Sequence, residues 1–125
     1  MKRDEGLGLI EIVISMFLLA LVAIAILPLL IQGLTSTRDN ASLATATQLV
    51  SSRLEGARTS TTCAALQGYA AADESVTDQR GTTYTSDDQV TCSSSAGSVV
   101  YTARVFKSGS STIVSTAKTV IHVSG

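Results

Sequence analysis

The sequence predicts an α+β protein in which a long N-terminal helix packs on a small C-terminal antiparallel β-sheet. Three observations carry this. The first third of the 125-residue chain holds most of the large aliphatic side chains. An apolar spacing of three and four residues follows, through residues 43–57. Beyond residue 80 come short β-rich runs of alternating polarity, separated by Gly, Ser and Asp.

The helix begins in an apolar run. From residue 12 to residue 31 the only side chain with a polar group is Ser15. Twenty helical residues rise about 30 Å, enough to cross the hydrocarbon core of a bilayer. A secretory signal peptide fits poorly, because the run is longer than the usual apolar region of such peptides and the nearest A-x-A pattern, Ala44-Thr45-Ala46, lies well past its end. A core helix fits poorly too, because a domain this small has little other apolar surface to bury it. An ordinary membrane anchor fits the length but leaves Glu11 unexplained. A carboxylate at the edge of a spanning segment is costly and marks function by default. Residues 32–37 include Gly33 and a Thr-Ser-Thr run, where the helix is expected to weaken. The stripe of Leu43, Ala46/Thr47, Val50, Leu54 and Ala57 then marks one apolar face, with Arg38, Asp39, Gln48, Ser52, Arg53 and Glu55 on others. One helix over about residues 7–58 follows.

The remainder reads as a lean β domain. Residues 59–80 carry small and turn-forming side chains and read as a loop with a helical turn near 63–67. Residues 82–85 and 89–92 read as short strands around an Asp87-Asp88 turn. The clearest strand is 98–107, where Val99, Tyr101, Ala103 and Val105 alternate with Val100, Thr102, Arg104 and Phe106. Ser108-Gly109-Ser110 reads as a hairpin turn, and residues 112–123 as a last strand with Thr119, Ile121 and Val123 on one face. A sheet of three or four strands results.

Composition narrows the functional classes. The net charge is −1 and no basic run occurs, so nothing electrostatic points to nucleic acid. Past residue 60 the only aromatics are Tyr69, Tyr84, Tyr101 and Phe106, and so small a domain needs a staple or a partner surface. Its cysteines, Cys63 and Cys92, suggest a disulfide in an oxidising compartment. The loop it closes would be about 30 residues, a stabilisation of roughly 3–4 kcal/mol in the chain-entropy model. Two free thiols in a reducing compartment is the competing reading. The wide spacing and a single histidine, His122, argue against a metal site, and two adjacent acids are a weak calcium signal. His122 has no motif partner and no G-x-S-x-G elbow exists, so neither an enzyme nor a cofactor is expected.

Gly6 followed by Leu7-Gly8-Leu9-Ile10-Glu11 resembles the cleavage site of type IV prepilins and of type II secretion pseudopilins. In that family a short charged leader ends in Gly, a prepilin peptidase cuts after it and methylates the new N-terminus, and the fifth mature residue is Glu. Cleavage after Gly6 makes Leu7 first and Glu11 fifth. The family's proline at the twenty-second mature position coincides with Pro28, so two registers agree. Leu7 stands where Phe is usual and Gly8 where Thr is usual, and Asp4 and Glu5 offset the two basic residues of the leader.

The resemblance implies a division into a leader (1–6), a transmembrane and filament-core helix (7–31), an amphipathic helix half (32–58) and a C-terminal disulfide-stapled β domain (59–125). It implies that Leu7 is the N-methylated residue, that Glu11 pairs with the N-terminal amine of a neighbouring subunit and so sets its register, and that Pro28 bends or loosens the helix. The chemistry is coherent. Gly6 admits an extended backbone to a narrow protease site, and a buried carboxylate is far less costly when paired. Implied partners are the prepilin peptidase, a platform protein, an assembly ATPase, other pilin subunits and the membrane. The expected location is the cytoplasmic membrane with the C-terminal domain outside, then an extracellular or periplasmic filament. The alternatives are a type II secretion pseudopilin, or a binding module on an uncleaved single-span anchor.

Overall fold

The protein is seen in a computed structural model that describes residues 5–92 and 96–124, with backbone alone for Glu5, Gly6 and Leu7. It contains α1 (Glu5–Arg58), α2 (Cys63–Ala70), β1 (Ser75–Thr77), β2 (Thr83–Thr91), β3 (Gly97–Lys107) and β4 (Ile113–Val123). The fold is the α+β arrangement expected, a long helix followed by an antiparallel sheet against which it packs. Residues 1–4, most of the expected leader, lie outside the described residues. The chain divides into two units, 1–39 and 40–125.

The first unit contains the N-terminal part of α1. Every side chain over 8–39 is exposed, and the helix pairs the backbone groups of this apolar run within itself. The helix does not weaken at residues 32–37. The hydroxyls of Thr35 and Thr37 donate to the carbonyls of Ile31 and Gly33, each at 2.9 Å, which satisfies the side chains within the helix instead of in a competing turn. Ser15 does the same with the Glu11 carbonyl at 2.7 Å.

The second unit opens with the C-terminal turns of α1. Ala46, Leu49, Val50, Arg53 and Ala57 are buried, whereas Leu43 is 50% exposed and Leu54 half-buried. Helical geometry accounts for the shift from the expected stripe. At about 100° per residue, Arg53 falls between Leu49 and Ala46, near the centre of the face, while Leu43 and Leu54 fall on one flank. The helix stops where Thr59 and Ser60 fold back on the carbonyls of Gly56 and Ala57. Thr62 then caps α2, its hydroxyl accepting from the Ala65 amide at 3.2 Å.

The four strands pair in sequence order, each antiparallel to the next. Residues 59–80 are more structured than a loop: they contain all of α2 and β1. Asp87-Asp88 is not a turn. Both lie inside β2, opposite Arg104 and Ala103 of β3. The β3–β4 hairpin turns where expected, with Gly109 at φ +79, a conformation glycine adopts without strain. Val99, Tyr101, Ala103 and Val105 point into the core with Tyr84 and Leu66, as the alternation foretold, joined by Ile121 and Val123.

Candidate functional site

The expected site residues fall into two groups. The first lies on the N-terminal part of α1. Gly6 and Leu7 belong to the helix by their backbone, and their side chains are outside the described residues. Glu11 is exposed and is the one ionisable side chain in residues 8–37. Around it Leu9, Ile10, Ile12, Val13 and Ile14 are all more than half exposed. Pro28 sits inside α1, and the helix continues through it. The helix is long and apolar enough to cross a membrane, as length and composition alone judge it. That criterion is compatible with a single-pass anchor.

The second group lies in the globular unit. Cys63 and Cys92 form a disulfide with a Cα–Cα separation of 6.3 Å, tying the first residue of α2 to the residue after β2. The same unit holds a polar cluster that sequence reasoning missed. The sequence pattern sets Arg53 off the apolar face and Asp88 in a turn; both are buried. The Arg53 Nε donates to Asp88 Oδ2 at 2.5 Å, and its Nη2 donates to the Tyr69 carbonyl at 2.8 Å. Its Nη1 lies 3.6 Å from Glu74, and the guanidinium stacks 4.1 Å from the Tyr69 ring centre. Tyr101 donates its hydroxyl to the same Asp88 oxygen at 2.5 Å. One guanidinium thus joins α1, α2, β2 and the segment before β1. The phase of Arg53 on the buried stripe was the signal that could have found it.

Burial works against the Arg53 charge, yet the hydrogen bond and charge of Asp88 outweigh it and hold the guanidinium pKa above its ordinary value. Burial first, then the bond to Asp88, pushes the Tyr101 phenol up. Both groups are therefore locked in one protonation state at neutral pH. The cluster can hold a helix to a sheet, and it is poorly suited to proton transfer. Gly56 belongs to it sterically, because an added Cβ there would overlap the Tyr69 ring.

Asp87 and Asp88 cannot share a ligand, since successive strand residues face opposite ways. Asp87 pairs with Arg104 on the outer face. Among the described residues no three His, Cys, Asp or Glu side chains gather as a metal site would require. Asp78 organises the β1–β2 turn. Its carboxylate accepts from the Thr82 and Arg80 amides, both at 2.9 Å, and from the Arg80 guanidinium. The Thr82 amide above all, with Arg80, holds its pKa below the usual carboxylate value. His122 is exposed on β4.

No protein family, curated protein or solved structure matches this chain.

Proposed function

We propose that this protein is a pilin-like filament subunit, held in a membrane by the N-terminal part of α1 before assembly and packed through it afterwards. The observation that carries this reading is the placement of charge on α1. Glu11 is the single carboxylate on a surface where side chains from Leu9 to Leu34 are exposed and otherwise uncharged. It stands five residues after Gly6, where cleavage would leave a free amine on Leu7, cationic or nearly so at neutral pH. The amine and Glu11 then share the first turns of the helix, where a carboxylate is also favoured by the helix dipole. An apolar surface with one opposite-charge pair suits copies that pack in a single register. The oxidised Cys63–Cys92 pair suits a domain outside the cytoplasm.

In this reading a prepilin peptidase cuts between Gly6 and Leu7 and methylates Leu7. A platform protein and an assembly ATPase drive extraction from the membrane, and other pilin subunits are the lasting partners. Pilus and secretion pseudopilus are both filaments of this kind. The test is mass spectrometry of the N-terminal peptide from a membrane or sheared-surface fraction. A peptide beginning at Leu7 with one added methyl group is expected. An intact leader, in cells with active prepilin peptidase, overturns the proposal in favour of a binding module on an uncleaved anchor.

A further inference from the structure

The sheet has two open edges, and their hydrogen-bonding phases can be read from its registers. The Ser86 amide donates to Glu74, and the Ser108 amide donates to the Thr83 carbonyl. Even-numbered residues of β2 therefore turn their backbone groups toward β1, and odd-numbered ones toward β3. Carried across the β2–β3 and β3–β4 registers, this leaves the amides and carbonyls of Thr116, Lys118, Val120 and His122 pointing away from β3. On the opposite edge, Val76 bonds across to Tyr84, so the backbone groups of Ser75 and Thr77 point outward. Among the described residues, no backbone hydrogen bond reaches either set.

Both sets also carry their side chains on the outer face of the sheet, away from α1. Thr116, Lys118, Val120 and His122 are exposed, and the inner-facing Ile121 and Val123 between and beyond them are buried. Ser75 and Thr77 meet Thr85 and Thr83 on the outer face through their hydroxyls. A strand with the phase of β1 therefore continues the pleat beyond β4 without a break. Val120, at 65% the most exposed large apolar residue of the globular unit, stands in the middle of the open stretch. Apart from Lys118 and the register irregularity at its far end, β4 carries none of the usual protections of a free edge.

We infer that β4 of one subunit pairs antiparallel with β1 of a second copy, Val120 opposite Ser75 and Lys118 opposite Thr77, so that the sheet runs on from subunit to subunit. The inference rests on the membrane-held reading above and names the partner of that assembly. Strand direction selects this pairing. Because successive strands alternate, β1 and β4 are antiparallel within one chain, and copies related by translation bring them together with the sheet unbroken. Two copies of β4 would instead need a two-fold axis normal to the sheet. Ser42 near Arg80 and Arg53 near Asp88 show that residues 40–58 of α1 run in the direction of β2. A two-fold pairing would reverse that direction in one copy, whereas copies related by translation keep it. Charge agrees: β4 offers Lys118 and no acid, while Asp73 and Glu74 lead into β1. The register sets exposed Asp73 opposite His122. Two β4 strands would bring their lysines together with no acid to pair them. A head-to-tail contact of this kind propagates rather than closes.

The test uses the full chain in its own membrane. Ser75→Cys and Val120→Cys are introduced together, mild oxidant is added, and products are separated without reductant. Directly opposed residues in such a pair have Cα atoms about 5.5 Å apart, within disulfide reach. A ladder of dimers, trimers and higher species joined through positions 75 and 120 is expected, absent from either single variant and from Val76→Cys/Val120→Cys. Adding Lys118→Pro removes one edge-facing donor and leaves the β3–β4 ladder intact. It should cut the cross-linked fraction roughly fivefold, the worth of one hydrogen bond. A Val120→Cys dimer, or no ladder from the double variant, overturns the inference. N-terminal processing read on the same samples keeps the proposals apart: a chain processed at Leu7 without the ladder leaves the filament reading standing.

Discussion

The two stretches of α1 on either side of residue 40 follow different rules. Over residues 8–39 every side chain is exposed, although most are large and apolar, and the single charge is Glu11. Over residues 40–58 the exposed positions are mostly polar or small and the buried face is narrow, yet a charge, Arg53, sits at its centre. The first stretch displays apolar surface that no described residue covers, and in the proposed reading lipid or other copies supply its environment. The second is an ordinary amphipathic helix whose burial is settled inside one chain. A residue's importance for folding and its importance for assembly should therefore separate at this point in one continuous helix.

The largest test of that separation is Arg53→Met. It removes the guanidinium and leaves Asp88, with a fully buried side chain, facing only Tyr101. Breaking a buried pair from one side costs about 3–5 kcal/mol, a large share of what a small domain has. Denaturant unfolding of the protein in detergent should show that loss. The companion Arg53→Met/Asp88→Leu should lose clearly less than the single change, because it strands no charge. If Arg53→Met costs no more than an exposed substitution, residues 40–58 do not depend on this cluster and the contrast fails.

What the sequence hid and what it showed divide along similar lines. The long helix, the alternation of β3 and the disulfide pair were legible because each rests on a local or pairwise rule: residue period, strand polarity, an even cysteine count. The Arg53–Asp88–Tyr101 cluster was not, because its members lie 35 and 13 residues apart and meet only when the sheet closes on the helix. Asp87-Asp88 misled for a related reason. Adjacent acids are turn-formers by propensity, but here each finds an arginine, one on either face of β2, and tertiary pairing overrides the local preference. The short β1 was invisible for its length, and of α2 only a helical turn near 63–67 was legible, because its small residues carry no longer period. Glu11, the residue on which the proposed function leans most, was legible from sequence alone as a lone carboxylate in an apolar run.

The disulfide offers the next effect in size. Replacing Cys63 and Cys92 by serine removes a link across 29 residues. In the chain-entropy model this costs about 3–4 kcal/mol. The loss should fall wholly on residues 40–125, and the helical signal of the detergent-held N-terminal segment should persist past the unfolding of the domain. Circular dichroism during the denaturant titration reads both. A helix signal that vanishes in the same step as the tertiary signal would show that the two stretches of α1 fold as one.

The smallest effect sharpens the comparison most directly, because it uses the same substitution on both sides of residue 40. Leu49 is 4% exposed and Leu19 is 68% exposed. Leu49→Ala should cost about 2–3 kcal/mol by lost contacts and a partly collapsed cavity. Leu19→Ala should change domain stability by less than about 0.5 kcal/mol, as exposed changes do. The stability assay is blind to whatever Leu19 does in lipid or in a filament. A Leu19→Ala protein that unfolds normally but yields fewer filaments would locate that leucine's work between subunits. Equal losses of stability at both positions would mean that residues 8–39 are covered by the chain itself, and the outward-facing role assigned to them would have to be given up.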